Sequence, residues 1–365
     1  MVENVRPALQ ELAFPKVSVS KETLDWLLED EPSVQYFTLT GLMDHGENDR
    51  SVRDTRGRIG REGWAATILA KQKDGIYWEN PESCYVPKWS SCAWQLAVLA
   101  DIGLVGSDER IENSVEHYLH AHNVETGGFA LRPRGSEGIK PHVCSTGNMI
   151  RSLAKFGYGQ DERVVKAMDW LISEQLVDGG WNCFTEDGAK HGSFQATIEP
   201  LWALAAMFQI HPSMKRWEDA AAKGSEFLLR HRIYKSKRND SPVLLEFLTI
   251  HYPMHYRYDF LHGLRVLSEL GAKYDPRMGD AVNLLRQKRL PDGKWVLEGV
   301  YRGWRQSVGI HGGKAVSRPE EREAFTEGWG DGHTLQLEEA GKPSKWITLQ
   351  ALLTLKRLGI LERLS

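Results

Sequence analysis

Little in this chain is extreme, and each missing extreme removes a class of function. Acidic and basic residues nearly balance, 49 against 46, for a formal net charge of −3. No surplus of one sign points to nucleic acid or to an anionic membrane. No stretch approaches about 18 consecutive apolar residues, so no transmembrane segment is expected. The opening Met1-Val2-Glu3-Asn4-Val5-Arg6-Pro7 has no apolar core of the kind a signal peptide needs. Cysteine is sparse: only Cys84, Cys92, Cys144 and Cys183 occur, with no Cys-x-x-Cys pair. Together these features predict a cytoplasmic protein with free thiols, in which cysteine serves packing, metal binding or catalysis.

What is present in quantity is tryptophan, histidine and glycine: 13, 13 and 34 residues in a chain of 365. That length exceeds the usual domain of roughly 100–200 residues, which directs attention to internal repeats. One pattern recurs. A charged helix leads into a turn, a loop follows, and a more apolar helix ends on glycine. The turns read Asp74-Gly75-Ile76-Tyr77-Trp78, Gly127-Gly128-Phe129, Asp178-Gly179-Gly180-Trp181 and Asp292-Gly293-Lys294-Trp295. Glycine supplies positive φ at a helix end, and the aromatic side chain folds back to staple the turn. Charged helices are expected near 21–29, 61–72, 108–122, 161–175, 217–231 and 276–288. Apolar helices are expected near 33–43, 90–102, 144–156, 194–208, 255–270 and 345–358.

The two helix types face different surroundings. Helix 161–175 carries one stripe, Val164, Val165, Met168, Leu171 and Ile172, as a surface helix does. Helix 194–208 is apolar almost all round, with Ile198, Leu201, Trp202, Leu204, Ala205 and Met207, so it is buried on both sides. The second type therefore forms an inner ring and the first an outer ring. The expected fold class is all-α, an (α/α)6 toroid of about six helix pairs in one domain. An open α-solenoid is the alternative.

Asp-Gly-Gly-Trp turns followed by helices that close on Leu-Gly resemble the prenyltransferase and squalene-oxidase repeat. That repeat builds the toroids of triterpene cyclases and protein prenyltransferase β subunits. The resemblance runs from about 20 to 360. The chain looks most like the bacterial squalene-cyclase-like proteins, on segments such as Tyr256-Arg257-Tyr258-Asp259-Phe260-Leu261-His262-Gly263-Leu264 and Gly341-Lys342-Pro343-Ser344-Lys345-Trp346-Ile347-Thr348-Leu349. It implies an enzyme with an aromatic-lined central cavity for an isoprenoid or other apolar small molecule. The Asp-x-Asp-Asp acid of class II cyclases and the aspartate-rich diphosphate motif of class I synthases are both missing. The zinc segment of protein prenyltransferases has a partial counterpart: Gly127-Gly128-Phe129 leads through Arg132, Arg134 and Lys140 to His142-Val143-Cys144.

In a closed ring the loops after the outer helices open at one rim, where inner helices begin. Residues distant in sequence converge there. The candidate metal ligands are His142, Cys144, Cys183 and His191, a mixed sulfur and nitrogen set of the kind Zn2+ favours. Their other readings are packed cysteines with hydrogen-bonding histidines, or a cysteine nucleophile. Asp259 follows His255 by four residues, which on a helix puts both on one face. With Tyr258 they form a candidate proton-transfer group; the pair is otherwise read as metal ligands or as a polar network that fixes helix register. Lys345 is a candidate anion contact at a helix start. Trp89, Cys92, His251 and Trp346 are candidate substrate-binding residues. The turns at Asp178–Trp181 and Asp292–Trp295 are read as structural staples. The Gly-rich, charged tract 302–340 interrupts the repeat and is read as a lid or an irregular insertion. Two further readings stand beside the isoprenoid enzyme. One is a non-catalytic toroid that binds a lipid or a protein; the other is a carbohydrate lyase or hydrolase using His255 and Tyr258.

Overall fold

The computed structural model describes residues 16–133, 135, 136, 138–300, 309–311, 314–316 and 335–362. Thirteen α-helices run through these residues: α1 Lys21–Leu27, α2 Pro32–Phe37, α3 Arg50–Arg58, α4 Gly63–Leu69, α5 Cys92–Asp101, α6 Glu109–His122, α7 Val143–Leu153, α8 Glu162–Ser173, α9 Phe194–Met207, α10 Lys215–Arg230, α11 Phe260–Glu269, α12 Gly279–Gln287 and α13 Lys345–Leu358. A short antiparallel hairpin pairs β1, Gly309–His311, with β2, Lys314–Val316. The rest of 302–334 lies outside the described residues, and with it most of the tract 302–340 predicted as a lid or insertion.

The fold is an α/α toroid. Helices α2, α5, α7, α9, α11 and α13 form the inner ring, and each inner helix touches the next. Arg151 of α7 donates to the Ala97 carbonyl of α5 at 3.0 Å. Gly147 lets α7 meet α9, since a methyl there would lie 2.7 Å from the Glu199 carbonyl carbon and 2.8 Å from the Pro200 nitrogen. Trp202 of α9 meets His262 of α11 edge-on at 4.5 Å and donates to Glu269 at 2.7 Å. Arg357 of α13 lies 3.6 Å from Glu269. Lys356 then reaches the Gly41 and Leu42 carbonyls just after α2, at 3.0 and 2.8 Å. Gly103, after α5, lies against the ring of Phe37 and completes the circle.

The repeat sequence has a common physical origin in each pair. Asp108, Asp161 and Asp275 each accept the backbone N–H two residues on, at 3.1, 2.8 and 2.8 Å, and each binds the arginine at that position. These caps start outer helices where four N–H groups lack partners. At the other end, the indoles of Trp78, Trp181 and Trp295 donate to the carbonyls of Ile68, Leu171 and Leu285, at 2.9, 2.7 and 2.7 Å. Each indole is thus pinned ten residues back, under its own outer helix. Threonines of the following inner helix, Thr197 and Thr348, accept from the Trp181 and Trp295 backbone N–H at 3.0 and 2.9 Å.

Two elements depart from the sequence expectation. Helix α3 was unexpected: only Val52 and Thr55 are buried in it, so it carries no apolar stripe to read. Helix α11 starts at Phe260 and not at 255. Asp259 is extended, at φ −139°, and caps the helix by accepting the His262 N–H at 2.8 Å.

Candidate functional site at the inner-helix rim

The N-termini of α5, α7 and α11 bring three loops together. Tyr85, Trp89 and Trp94 form an aromatic cluster, with Tyr256 packed on it. Trp89 stacks on His255 at 4.7 Å, and Trp94 meets the same imidazole edge-on at 5.3 Å. The Lys88 ammonium lies 5.7 Å from the Tyr85 ring and 5.5 Å from that of Tyr256. Trp89 and His255 both hold positive φ, 73° and 52°. For residues other than glycine such conformations cost about 1–3 kcal/mol each and are retained where packing over-determines them. Beside this cluster opens a narrow cleft lined by Tyr85, Ala93, Trp94, Cys144, Ser145, Asn148, Met149 and Tyr256, with about 10 Å³ of enclosed space, room for about one water.

Cys144 of α7 faces Cys183, and the two form a disulfide. The expectation of four free thiols therefore holds only for Cys84 and Cys92. His142 joins the pair: its ring nitrogen and the two sulfurs lie within 4.8 Å of one another, the one such His, Cys or carboxylate cluster among the described residues. Burial pushes the His142 imidazole below its ordinary pKa, which leaves a nitrogen lone pair available. Two thiolates and one neutral imidazole are a donor set suited to Zn2+, with a fourth position left for another ligand. The set fits the metal when the two sulfurs are reduced. His191 stands apart, its side chain 87% exposed and its Nδ1 3.7 Å from Asp178.

The other expected site residues are dispersed. Asp259 accepts the backbone N–H groups of His251 and His262 at 3.0 and 2.8 Å. Its carboxyl closes a helix end and makes no hydrogen bond to the His255 ring. Because the helix begins after Asp259, the spacing of four residues does not bring the two side chains onto one helical face. Burial lifts Asp259 to about 7 and lowers His255 to about 3 and His251 to about 4. The Tyr258 hydroxyl donates to the Ile233 carbonyl, and its ring packs on Phe194 and Phe247, away from the cleft. Cys92 is buried with its Sγ 4.0 Å from the Ser114 carbonyl. Lys345 donates to the Glu29 carbonyl at 2.9 Å, and Trp346 packs among Phe37, Trp64 and Tyr252. Both belong to the seam between the first and last helix pairs.

Below the rim, side chains fill the ring. Asp101 of α5 is fully buried and bound by Arg265 of α11 at 2.6 Å and Arg151 of α7 at 3.3 Å. Burial alone would raise its carboxyl, but the charges of Arg265 and Arg151 hold it below the usual range. Trp202 lies under both guanidiniums, 3.6 Å from Arg151 and 4.8 Å from Arg265. Residues that sequence reasoning passed over are Tyr85, Trp94, Asn148 and Tyr256 at the cleft and Asp101, Arg151, Glu199 and Arg265 beneath it. One signal was legible. Glu199 is an acidic residue in a helix otherwise apolar on nearly every face.

No family model and no curated protein matches the chain. Solved structures do. The type II terpene cyclase MstE from Scytonema, in complex with geranylgeranyl dihydroxybenzoate, is similar at 14% identity over 90% of this chain and 88% of its own, TM-score 0.43. An unsaturated glucuronyl hydrolase specific for heparin is similar at 11% identity over 94% and 90%, TM-score 0.47. The GH76 alpha-mannanase of Bacteroides thetaiotaomicron is similar at 12% identity over 73% and 68%, TM-score 0.37. At these distances no activity is read across from any of them. No helix among the described residues is long and apolar enough to cross a membrane.

Proposed function

We propose that this protein is a squalene-cyclase- or prenyltransferase-like enzyme whose chemistry takes place at the rim cleft, on an isoprenoid or other apolar small molecule, with zinc held by His142, Cys144 and Cys183. The observation that carries the reading is the meeting of three metal-ligand atoms within 4.8 Å beside an aromatic cleft whose wall includes one of them, Cys144. The space it encloses, about 10 Å³, is far below the usual ligand pocket of about 300–1,000 Å³. One end of a ligand would enter it as the lining side chains move aside.

Zinc bound there would act as a Lewis acid on a ligand atom at its open position. The chain's own residues supply the rest. Tyr85, Trp94 and Tyr256 offer apolar ring faces that exclude water and bind an unsaturated or aromatic group. Lys88, buried against those rings, supplies positive charge to a nearby ligand oxygen. The Asn148 amide donates to the His255 carbonyl at 2.5 Å, which ties the cleft floor to the strained loop before α11.

The test is metal content. Protein purified under reducing conditions is expected to hold zinc close to one per chain, and Cys144→Ser to lose most of it. Metal content that stays negligible after reduction and zinc loading would sink the zinc reading. A second reading, a non-catalytic toroid that binds a lipid or a protein, is favoured by the ring's filled interior around Asp101, Arg151, Trp202 and Arg265. Bound zinc lost with Cys144 would argue against it.

A further inference from the structure

Cys144 and Cys183 stand 39 residues apart in sequence and belong to neighbouring repeats. Cys144 is the second residue of α7, and Cys183 sits in the loop between α8 and α9. Both are partly exposed, so small oxidants and reductants reach them in the folded chain. The other two cysteines, Cys84 and Cys92, are fully buried. Oxidation of cysteine follows exposure, which singles out the rim pair.

The loop that carries Cys183 is shaped by its own hydrogen bonds. The Asn182 amide donates to the His191 carbonyl at 2.8 Å, the Ala189 N–H to the Phe184 carbonyl at 3.0 Å, and the Gly192 N–H to Asp178 at 2.9 Å. Lys140, before α7, meets Glu186 of the same loop at 2.7 Å. None of these bonds involves sulfur, so Cys183 stays opposite Cys144 whether the S–S bond is open or closed. His142 completes the arrangement, its ring nitrogen and both sulfurs lying within 4.8 Å of one another. A cross-link kept for structure alone calls for no imidazole beside it. A reduced pair does, because two thiolates and an imidazole are zinc donors. The two states exclude each other, since a sulfur bonded to sulfur has given up the charge with which it would hold the metal.

We propose that Cys144 and Cys183 form a redox switch: reduced, they hold zinc with His142; oxidised to the disulfide, they release it. The inference rests on the zinc reading above and adds its regulation. The oxidant is a hydroperoxide. One thiolate attacks a peroxide oxygen, the O–O bond breaks, and the far oxygen leaves as hydroxide or alkoxide. The second thiolate attacks the sulfenic acid so formed; the S–O bond breaks, the S–S bond forms and hydroxide leaves. Two electrons pass from the sulfurs to the peroxide, and solvent protons neutralise both departing oxygens. His142 alone does not retain the metal. A dithiol returns the two electrons by thiol–disulfide exchange. Cys144 also lines the cleft, which in the disulfide form has room for about one water. Oxidation thus removes the metal donors from a cleft that is shut.

The test uses the wild-type chain. Protein reduced with dithiothreitol and loaded with zinc is freed of reductant and excess metal, then given hydrogen peroxide beside the chromogenic chelator 4-(2-pyridylazo)resorcinol. Without peroxide the zinc should stay bound. With it, nearly all bound zinc should be released as two of the four thiols are lost, and peptide mapping should find Cys144 joined to Cys183. Dithiothreitol and fresh zinc, without denaturant, should restore both. Zinc that stays while the disulfide forms, zinc that leaves while the two cysteines remain unjoined, or a disulfide that opens only in denaturant overturns the switch alone. A reduced protein that takes up no zinc overturns the zinc reading and the switch with it, and shows this before any oxidant is added.

Discussion

His262 shows how burial turns a titratable group into a pH sensor of stability. Its ring packs edge-on against Trp202, and neither nitrogen has a hydrogen-bond partner among the described residues. Burial lowers it to about 3 in the folded chain, against an ordinary value near 6.5. Between those values the unfolded chain binds a proton that the folded chain does not, so this side chain weakens the fold as pH falls. Replacing it with glutamine should remove that dependence. Chemical denaturation of wild type and His262→Gln, from neutral pH down to about pH 4, should show the wild type losing ground by about 1.4 kcal/mol per pH unit below the ordinary histidine value. Parallel pH profiles would show that the imidazole titrates normally in the fold. Asp259 works in the opposite sense, since its raised value favours the protonated folded form and its contribution fades as pH rises towards 7.

At the scale of elements, the α7–α9 contact depends on a missing side chain. A methyl on Gly147 would sit within 2.9 Å of three backbone atoms of Glu199 and Pro200, and backbone cannot rotate aside. Gly147→Ala is expected to cost about 1–3 kcal/mol, read as a lowered denaturation midpoint. An unchanged midpoint would mean the two helices are free to separate. The staples make a matching case. Trp181→Phe loses the indole bond to Leu171 and half of a fully buried ring system, and should cost about 1–3 kcal/mol in the same assay.

These elements also show what a sequence can and cannot convey. The staples and the inner and outer rings were legible because each follows from local chemistry repeated along the chain. The convergence of His142, Cys144 and Cys183 was legible in outline because the repeat places both loops at one rim. His191 sat in the same loop as Cys183, yet only geometry could show it turned to solvent beside Asp178. The His255–Asp259 pairing failed for a local reason: an aspartate that caps a helix spends its oxygens on backbone N–H groups. The cleft aromatics were hidden because Tyr85 and Tyr256 come from loops without a repeat register.

For the whole molecule, the decisive feature is the charged link through the ring's middle. Asp101 and Arg265 belong to inner helices separated by two others, and they meet at 2.6 Å with Arg151 on the same carboxylate. Removing the carboxylate leaves the buried Arg151 without its acid and Arg265 with Glu269 alone. Asp101→Asn should therefore destabilise the protein by about 3–5 kcal/mol, measured by denaturation. A loss below about 1 kcal/mol, the scale of an exposed pair, would show that Arg151 reaches water and that Glu269 suffices for Arg265.

That link bears on how the protein comes apart. An open stack of helix pairs can fray from either end, one unit at a time, with the middle still standing. Here the first and last pairs are joined through Lys356 and Trp346, and opposite walls are held by Asp101. A hoop with a spoke has no loose end at which unravelling can begin. Loss of structure should be abrupt and shared by all six pairs, so that a fluorescence probe at any one tryptophan reports the fate of the others.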